Sequence, residues 1–289
     1  GRPPLPEGEE GTRTAAAPAA PLVYGEPPSP PLGGEASKVL ALPSRGQQGA
    51  GAPRAEGEGI CGMSAEALIE ACRANKVPLL ALDAQAPAFA PLYGSAAFRQ
   101  ARAEDEASWA AQRAEYLRVR EAFAAHDIRD VLIKAAGIAP SLPYTSDNLD
   151  ILVALADGPR ARRVLLDLGY VELKNVEEPH KFLFRKFHQG VSISAIHLHE
   201  FVGWGTGFML DEQVLAHARP APDDLALWIP APEEALLITM AHAFYEDKAV
   251  KLGDLWKVMH LLRQGDLDWE RVYAHARQRG WEDGLDTCI

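Results

Sequence analysis

The chain has 289 residues, a hydrophobic fraction of 47% and a charged fraction of 24%, ordinary for a globular protein and enough for one large domain or two small ones. Its net charge of -11 argues against an extended nucleic-acid surface, because coating phosphates needs clustered Lys and Arg, and leaves open only a local basic patch around a small anion. No apolar run is long enough to cross a bilayer and no signal peptide opens the chain, while Cys61, Cys72 and Cys288 stand far apart without zinc spacing and read as reduced thiols of a cytoplasmic protein.

Residues 1–60 are rich in Pro, Ala, Gly and Glu and show no period. Such a segment buries too little apolar surface to offset its ordering entropy and is expected to be disordered. The stretch Pro27-Pro28-Ser29-Pro30-Pro31 has the form of a polyproline ligand for a protein partner, though a plain tail is the commoner reading. The chain opens on Gly1 rather than Met, as expected of a fragment or a reading frame of uncertain start, and stops at Ile289 shortly after Gly284, ahead of an expected last helix.

Helical sequence begins at Ser64, an N-cap residue, with Leu68, Ile69 and Cys72 on one face. A second helix is expected over 95–125, where Trp109, Tyr116, Val119 and Phe123 recur at spacings of one buried stripe. The helical part covers 61–128. From 129 to 229 the period shortens to that of strands. Val131-Leu132-Ile133 and Leu149-Asp150-Ile151-Leu152-Val153 are short apolar runs, joined by a loop containing Gly137, Pro140 and Pro143. Arg160 to Leu168 is helical and ends at Gly169, a favoured C-terminal residue. Tyr170–Leu173, Phe182–Phe187 and Val191–His199 read as strands, the last two forming a hairpin through His188-Gln189-Gly190. Over 230–289 the helical period returns. Leu236, Leu237, Met240, Ala241 and Phe244 make one stripe, and Leu252, Leu255, Trp256, Met259 and Leu262 the next; Asp268 caps a further helix. The order predicts an α+β fold: a small mixed β-sheet with helices on one side, then a C-terminal helical subdomain.

Candidate chemistry centres on Ser146-Asp147-Asn148-Leu149-Asp150. Residues two apart on a strand share a face, so Asn148 and Asp150 project together, with Asp147 at the loop edge. Such oxygen ligands suit Mg²⁺, which takes one or two carboxylates and fills its octahedron with phosphates and water. Ser-Asp-Asn is equally good turn chemistry. Gly137 after Lys134 lets the backbone approach a phosphate. His197 and His199 share a strand face, where they act as a base or bind a transition metal such as Zn²⁺, or else pack in the core. Lys134, Lys181 and Arg185 are candidate phosphate contacts against the commoner reading of solvated cations. Trp204-Gly205-Thr206-Gly207 has the composition of a flexible loop over a site. His242 reads as a packed histidine.

The order of motifs resembles the nucleotidyltransferase superfamily with the polymerase-β-like palm, and its uncharacterised bacterial branch in particular. The resemblance rests on Leu132-Ile133-Lys134-Ala135-Ala136-Gly137, Tyr144, Asn148-Leu149-Asp150, Leu168-Gly169-Tyr170 and His197-Leu198-His199. It continues through Pro232-Glu233-Glu234, Leu236-Leu237, His242-Ala243 and Asp268-Trp269. It implies a palm-like α/β core and a metal-dependent enzyme. That enzyme would move a nucleoside monophosphate from a nucleoside triphosphate to a hydroxyl of a small molecule or protein. Mg²⁺ or Mn²⁺ would sit on Asp147, Asn148 and Asp150. Gly137 and Ser146 would lie near the phosphates, and His197, His199 or Glu200 would activate the acceptor. The chain departs from the pattern where Asn148 and His197 replace carboxylates and Ala135 replaces Gly. Those departures support the alternative of a catalytically degenerate member that senses a ligand or binds a protein partner.

Overall fold

The computed structural model describes residues 63–83, 86, 89–146, 148–173, 180–204, 208–210, 212–246, 249–265 and 267–288. The chain divides at residue 52, and every described residue lies in the second unit. The tail expected over 1–60 lies outside the described residues. Among the described residues no helix is long and apolar enough to cross a membrane.

Helix α1 (Ala65–Ala74) starts at Ser64, whose hydroxyl accepts the Ala67 amide at 3.2 Å. After the short α2 (Ala90–Gly94), α3 (Ala96–Ala124) runs for 29 residues, about 44 Å at the ordinary helical rise. Its first half packs Phe98 and Ala101 on α1 through Ile69 and Cys72. Its second half turns Tyr116, Val119 and Phe123 onto the sheet, the stripe expected from their spacing.

Five strands form a mixed sheet in the order β1-β2-β5-β4-β3. They are β1 (Asp130–Leu132), β2 (Leu149–Val153), β3 (Val171–Leu173), β4 (Lys181–His188) and β5 (Val191–His199). β2 runs parallel to β5 and antiparallel to β1, with Asp150 opposite His197. Gln189 and Gly190, both with positive φ (49° and 80°), make the two-residue turn between β4 and β5. That is the mirror-image turn that matches strand twist.

Side-chain alternation sorts β2 between two cores. Leu149, Ile151 and Val153 pack with α3 and with Ala161, Val164 and Leu165 of α4 (Gly158–Asp167). Leu152 packs on the opposite face with Val131, Ile133 and the C-terminal helices. All five β2 residues are buried, as a strand covered on both faces requires. Helices on one side of the sheet are thus corrected to helices on both.

The second cover begins after two small ribbons, β6 (Val202–Trp204) with β7 (Phe208–Leu210) and β8 (Arg219–Pro220) with β9 (Trp228–Ile229), which flank α5 (Glu212–His217). Helix α6 (Pro232–Ala241) is buried from Glu233 to Ala241. A helix apolar on all sides belongs at a core's centre. It continues into a π-turn at His242–Glu246. α7 (Leu252–Gln264), α8 (Trp269–Gln278) and α9 (Glu282–Cys288) follow. Asp268 caps α8, accepting the Arg271 amide at 3.0 Å.

The stripe expected on α7 is only partly turned inward. Leu252, Leu255 and Met259 are exposed and Trp256 and Leu262 half-buried, whereas Gly253, Asp254 and Leu261 are buried. Phe244 of the preceding stripe is also exposed.

A buried hydrogen bond ties α3 to β1. The Tyr116 hydroxyl donates to Asp130 Oδ2 at 2.6 Å, in a site where burial pushes the Asp130 carboxyl up. Tyr116→Phe should lower stability by about 1–3 kcal/mol, the penalty for orphaning a buried acceptor. A urea midpoint unchanged from wild type would contradict this.

Candidate functional site

The site grows from the start of β2. Asp150 shares its face with Leu152 but lies one turn of the pleat earlier, where the sheet ends. It is 1% exposed. Its Oδ2 accepts from Asn148 Nδ2 at 2.7 Å. Its Oδ1 meets His199 Nε2 at 3.0 Å, Lys134 Nζ at 3.4 Å and His197 Nδ1 at 3.5 Å. The parallel register delivers His197 beside Asp150, and strand alternation adds His199 to the same face.

Asn148 has no choice of orientation, because its amide oxygen cannot face the carboxylate. Its nitrogen therefore serves Asp150 and also reaches His197 Nδ1 at 3.1 Å, while its oxygen accepts from the Ser146 hydroxyl at 2.8 Å. His197 Nδ1 thus lies between the Asn148 amide nitrogen and Asp150 Oδ1, 3.5 Å away. The amide works as a brace for the carboxylate.

Burial alone would raise the Asp150 carboxyl, but the Lys134 charge and the hydrogen bonds from His197 and His199 hold it well below the usual carboxylate range. Burial pushes the His199 imidazole down, against the pull of Asp150. A neutral His199 donating from Nε2 to an ionised Asp150 satisfies both shifts.

Among the sequence candidates, Asp150, Asn148, Ser146, Lys134, His197 and His199 come together. Lys181 is buried opposite His199 in the register. Arg185 donates to the Ser192 hydroxyl at 3.3 Å and lines a groove of about 480 Å³ with Gln112, Glu115, Ser146 and Asn148. Two candidates lie apart. Glu200 pairs with His180 at 2.7 Å and leans on Gly158 at the start of α4. Gly137, at φ 73°, packs beneath Ile229 and Pro222, so its left-handed bend serves packing there. Asp147 and 205–207 lie outside the described residues.

Two small recesses open beside the cluster, of about 30 and 40 Å³. Both are lined by Lys76, Lys134 and Lys257, with Pro143 and Thr145. Thr145 also lines the larger groove, and Ser146 joins that groove to the second recess. Lys76 and Lys257 escaped the sequence reading. The one hint was Gly253, a small residue inside a helical run.

The resemblance implies Mg²⁺, a hard ion that wants oxygen ligands. Among the described residues the cluster offers one carboxylate, whose Oδ1 already faces an ammonium and two imidazoles, and an amide oxygen turned toward Ser146. These residues do not fit Mg²⁺. The Asp150, His197 and His199 donor atoms do lie within 4.8 Å of one another. Two imidazoles and a carboxylate suit a borderline transition-metal ion better than a hard one.

The mixed sheet, its flanking helices and the β2–β5 cluster together define a nucleotidyltransferase-like protein. The family model described as uncharacterised nucleotidyltransferase matches residues 65–289. The chain belongs to that family. No curated protein matches it at a significant level.

Proposed function

We propose that this chain binds a nucleoside triphosphate without metal-dependent transfer, acting as a ligand-sensing member of its family. One observation carries the reading: the only carboxylate of the described cluster, Asp150, is ion-paired to Lys134 and braced by Asn148, His197 and His199. At 3.4 Å the lysine attraction is about 5 kcal/mol at an effective dielectric near 20. A dication bound to Asp150 would have to overcome the repulsion of that ammonium. The groove along β5 has the size of a small-ligand site and adjoins the cluster.

The test is calorimetric titration of the full chain with ATP, GTP, CTP and UTP, in EDTA and in Mg²⁺, beside an assay of pyrophosphate release. The expected result is binding of at least one nucleotide with affinity in EDTA within about threefold of that in Mg²⁺, and no release. Metal-dependent pyrophosphate release that disappears in Asp150→Ala would overturn the proposal, as would the absence of nucleotide binding. The convergence of Asp150, His197 and His199 favours a second reading, transfer supported by one borderline ion. It requires release in Mn²⁺ or Zn²⁺ that Mg²⁺ does not support.

A further inference from the structure

We propose that Lys76, Lys134 and Lys257 form a metal-free binding site for a phosphoryl group, the terminal phosphate of the bound nucleotide. The last clause alone rests on the nucleotide-binding reading.

Three elements of the fold converge on this site. Lys134 follows β1, Lys257 lies on α7, and Lys76 occupies the turn after α1. Lys257 Nζ also reaches the Lys134 carbonyl at 3.4 Å. The two recesses share all three lysines, and each has room for about one water or a little more. Together they suit one tetrahedral anion, and Thr145 and Ser146 lead from them into the larger groove, which has room for a nucleoside.

Among the described residues, Asp150 faces Lys134 at 3.4 Å, and Asp254, whose Oδ2 accepts from the Lys251 amide at 3.2 Å, lines the second recess. His242, at the head of the π-turn, lines the second recess. Burial pushes the Lys257 ammonium below the ordinary lysine value, and Lys134 and Lys76 push it further, against Asp254 and Asp150. A bound phosphate dianion relieves that crowding.

Helix α7 turns Asp254 and Lys257 toward the recesses on the side that also carries Val258 and Leu261, with Leu252, Leu255 and Met259 in solvent. Lys76, at a left-handed φ of 54°, ends α1, where the Val77 amide donates to the Cys72 carbonyl at 2.8 Å. The Gly253 amide donates to the Asn75 carbonyl at 2.9 Å and so seats α7 against that turn.

The probes are orthophosphate, pyrophosphate and sulfate, titrated into the full chain in EDTA. The variants are Lys76→Met, Lys257→Met and, as a control, Arg263→Met, which removes an exposed cation from the same helix. Methionine keeps most of the alkyl stem, and losing the crowded ammonium should leave the melting temperature of Lys257→Met at or above wild type. Wild type and Arg263→Met should bind orthophosphate or pyrophosphate alike, and each site variant should bind at least tenfold more weakly. Equal binding in the site variants, or no phosphate binding in wild type, overturns the site. If phosphate binds through the lysines but no nucleotide does, the site stands and the nucleotide reading falls. If nucleotide binds and the lysine variants leave its affinity unchanged, the assignment of the site to the nucleotide's terminal phosphate falls.

Discussion

Arg271→Ala should destabilise the fold by about 3–5 kcal/mol, the effect of stripping the counter-charge from a buried carboxylate. Glu233 and Glu234 open α6 and are buried, Glu234 completely. Arg271 of α8 is paired with Glu234 and lies 3.4 Å from Glu233. Glu233 also accepts the Asp268 amide at 3.0 Å, which sets the start of α8. His217 reaches Glu234 at 2.9 Å, and His275 stands 3.8 Å away. Arg271 brings a permanent positive charge to both carboxylates. Glu234 Oε2 and Arg271 Nε have no hydrogen-bond partner among the described residues, which leaves little reserve if the pair is broken. The whole fold is worth only about 5–15 kcal/mol, so the variant would sit near its unfolding threshold. Replacing both partners, Arg271→Met with Glu234→Met, should recover much of the loss, because a well-packed apolar pair often equals a buried ion pair. Denaturant unfolding checks both. A loss under about 1 kcal/mol in Arg271→Ala would mean that the two carboxylates are compensated elsewhere.

Gly253→Ala should cost roughly 3 kcal/mol, the upper end of the range for overpacking, and weaken orthophosphate binding at least as much as Lys76→Met. A β-carbon on Gly253 would lie 2.8 Å from the Asn75 carbonyl oxygen and 2.9 Å from the Lys76 carbonyl carbon, with the Lys76 oxygen nearer still. These are backbone atoms and cannot swing aside as a long side chain does. Helix α7 must therefore back away from the turn that carries Lys76. The same substitution at Gly158 would meet the Glu200 side chain instead of backbone. Thermal unfolding and phosphate titration together test the point. A variant of wild-type stability and phosphate affinity would show that α7 is not seated on α1 as described.

Much of the fold was legible because the signals were local. The Tyr116–Val119–Phe123 stripe, the β4–β5 hairpin with its Gln189-Gly190 turn, and the Gly169 stop each depend on a few neighbouring residues. Asp150, Asn148, His197 and His199 could be proposed as partners because strand alternation puts same-face residues together. Contacts between distant elements were less legible. Glu200 follows His199 directly, but the chain bends there and its carboxylate turns to His180. Gly137 promised a close backbone approach, yet what approaches is Ile229. On α7 the apolar period points to Leu252, Leu255 and Met259, and that period cannot show that the face carrying Asp254, Val258 and Leu261 is the one turned inward. Lys76 and Lys257 carry no local mark.

The seat of α7 on the turn after α1 joins residues 177 positions apart, Leu252 with Asn75. Closures of that span come late, since loop entropy is surrendered before any contact repays it. During synthesis the third lysine does not exist until the ribosome has passed Lys257, and its seat does not exist until Gly253 has emerged. A nascent chain would thus carry the Asp150 strand and both histidines well before it gained any hold on phosphate. Ligand affinity would then report that translation had reached the C-terminal helices.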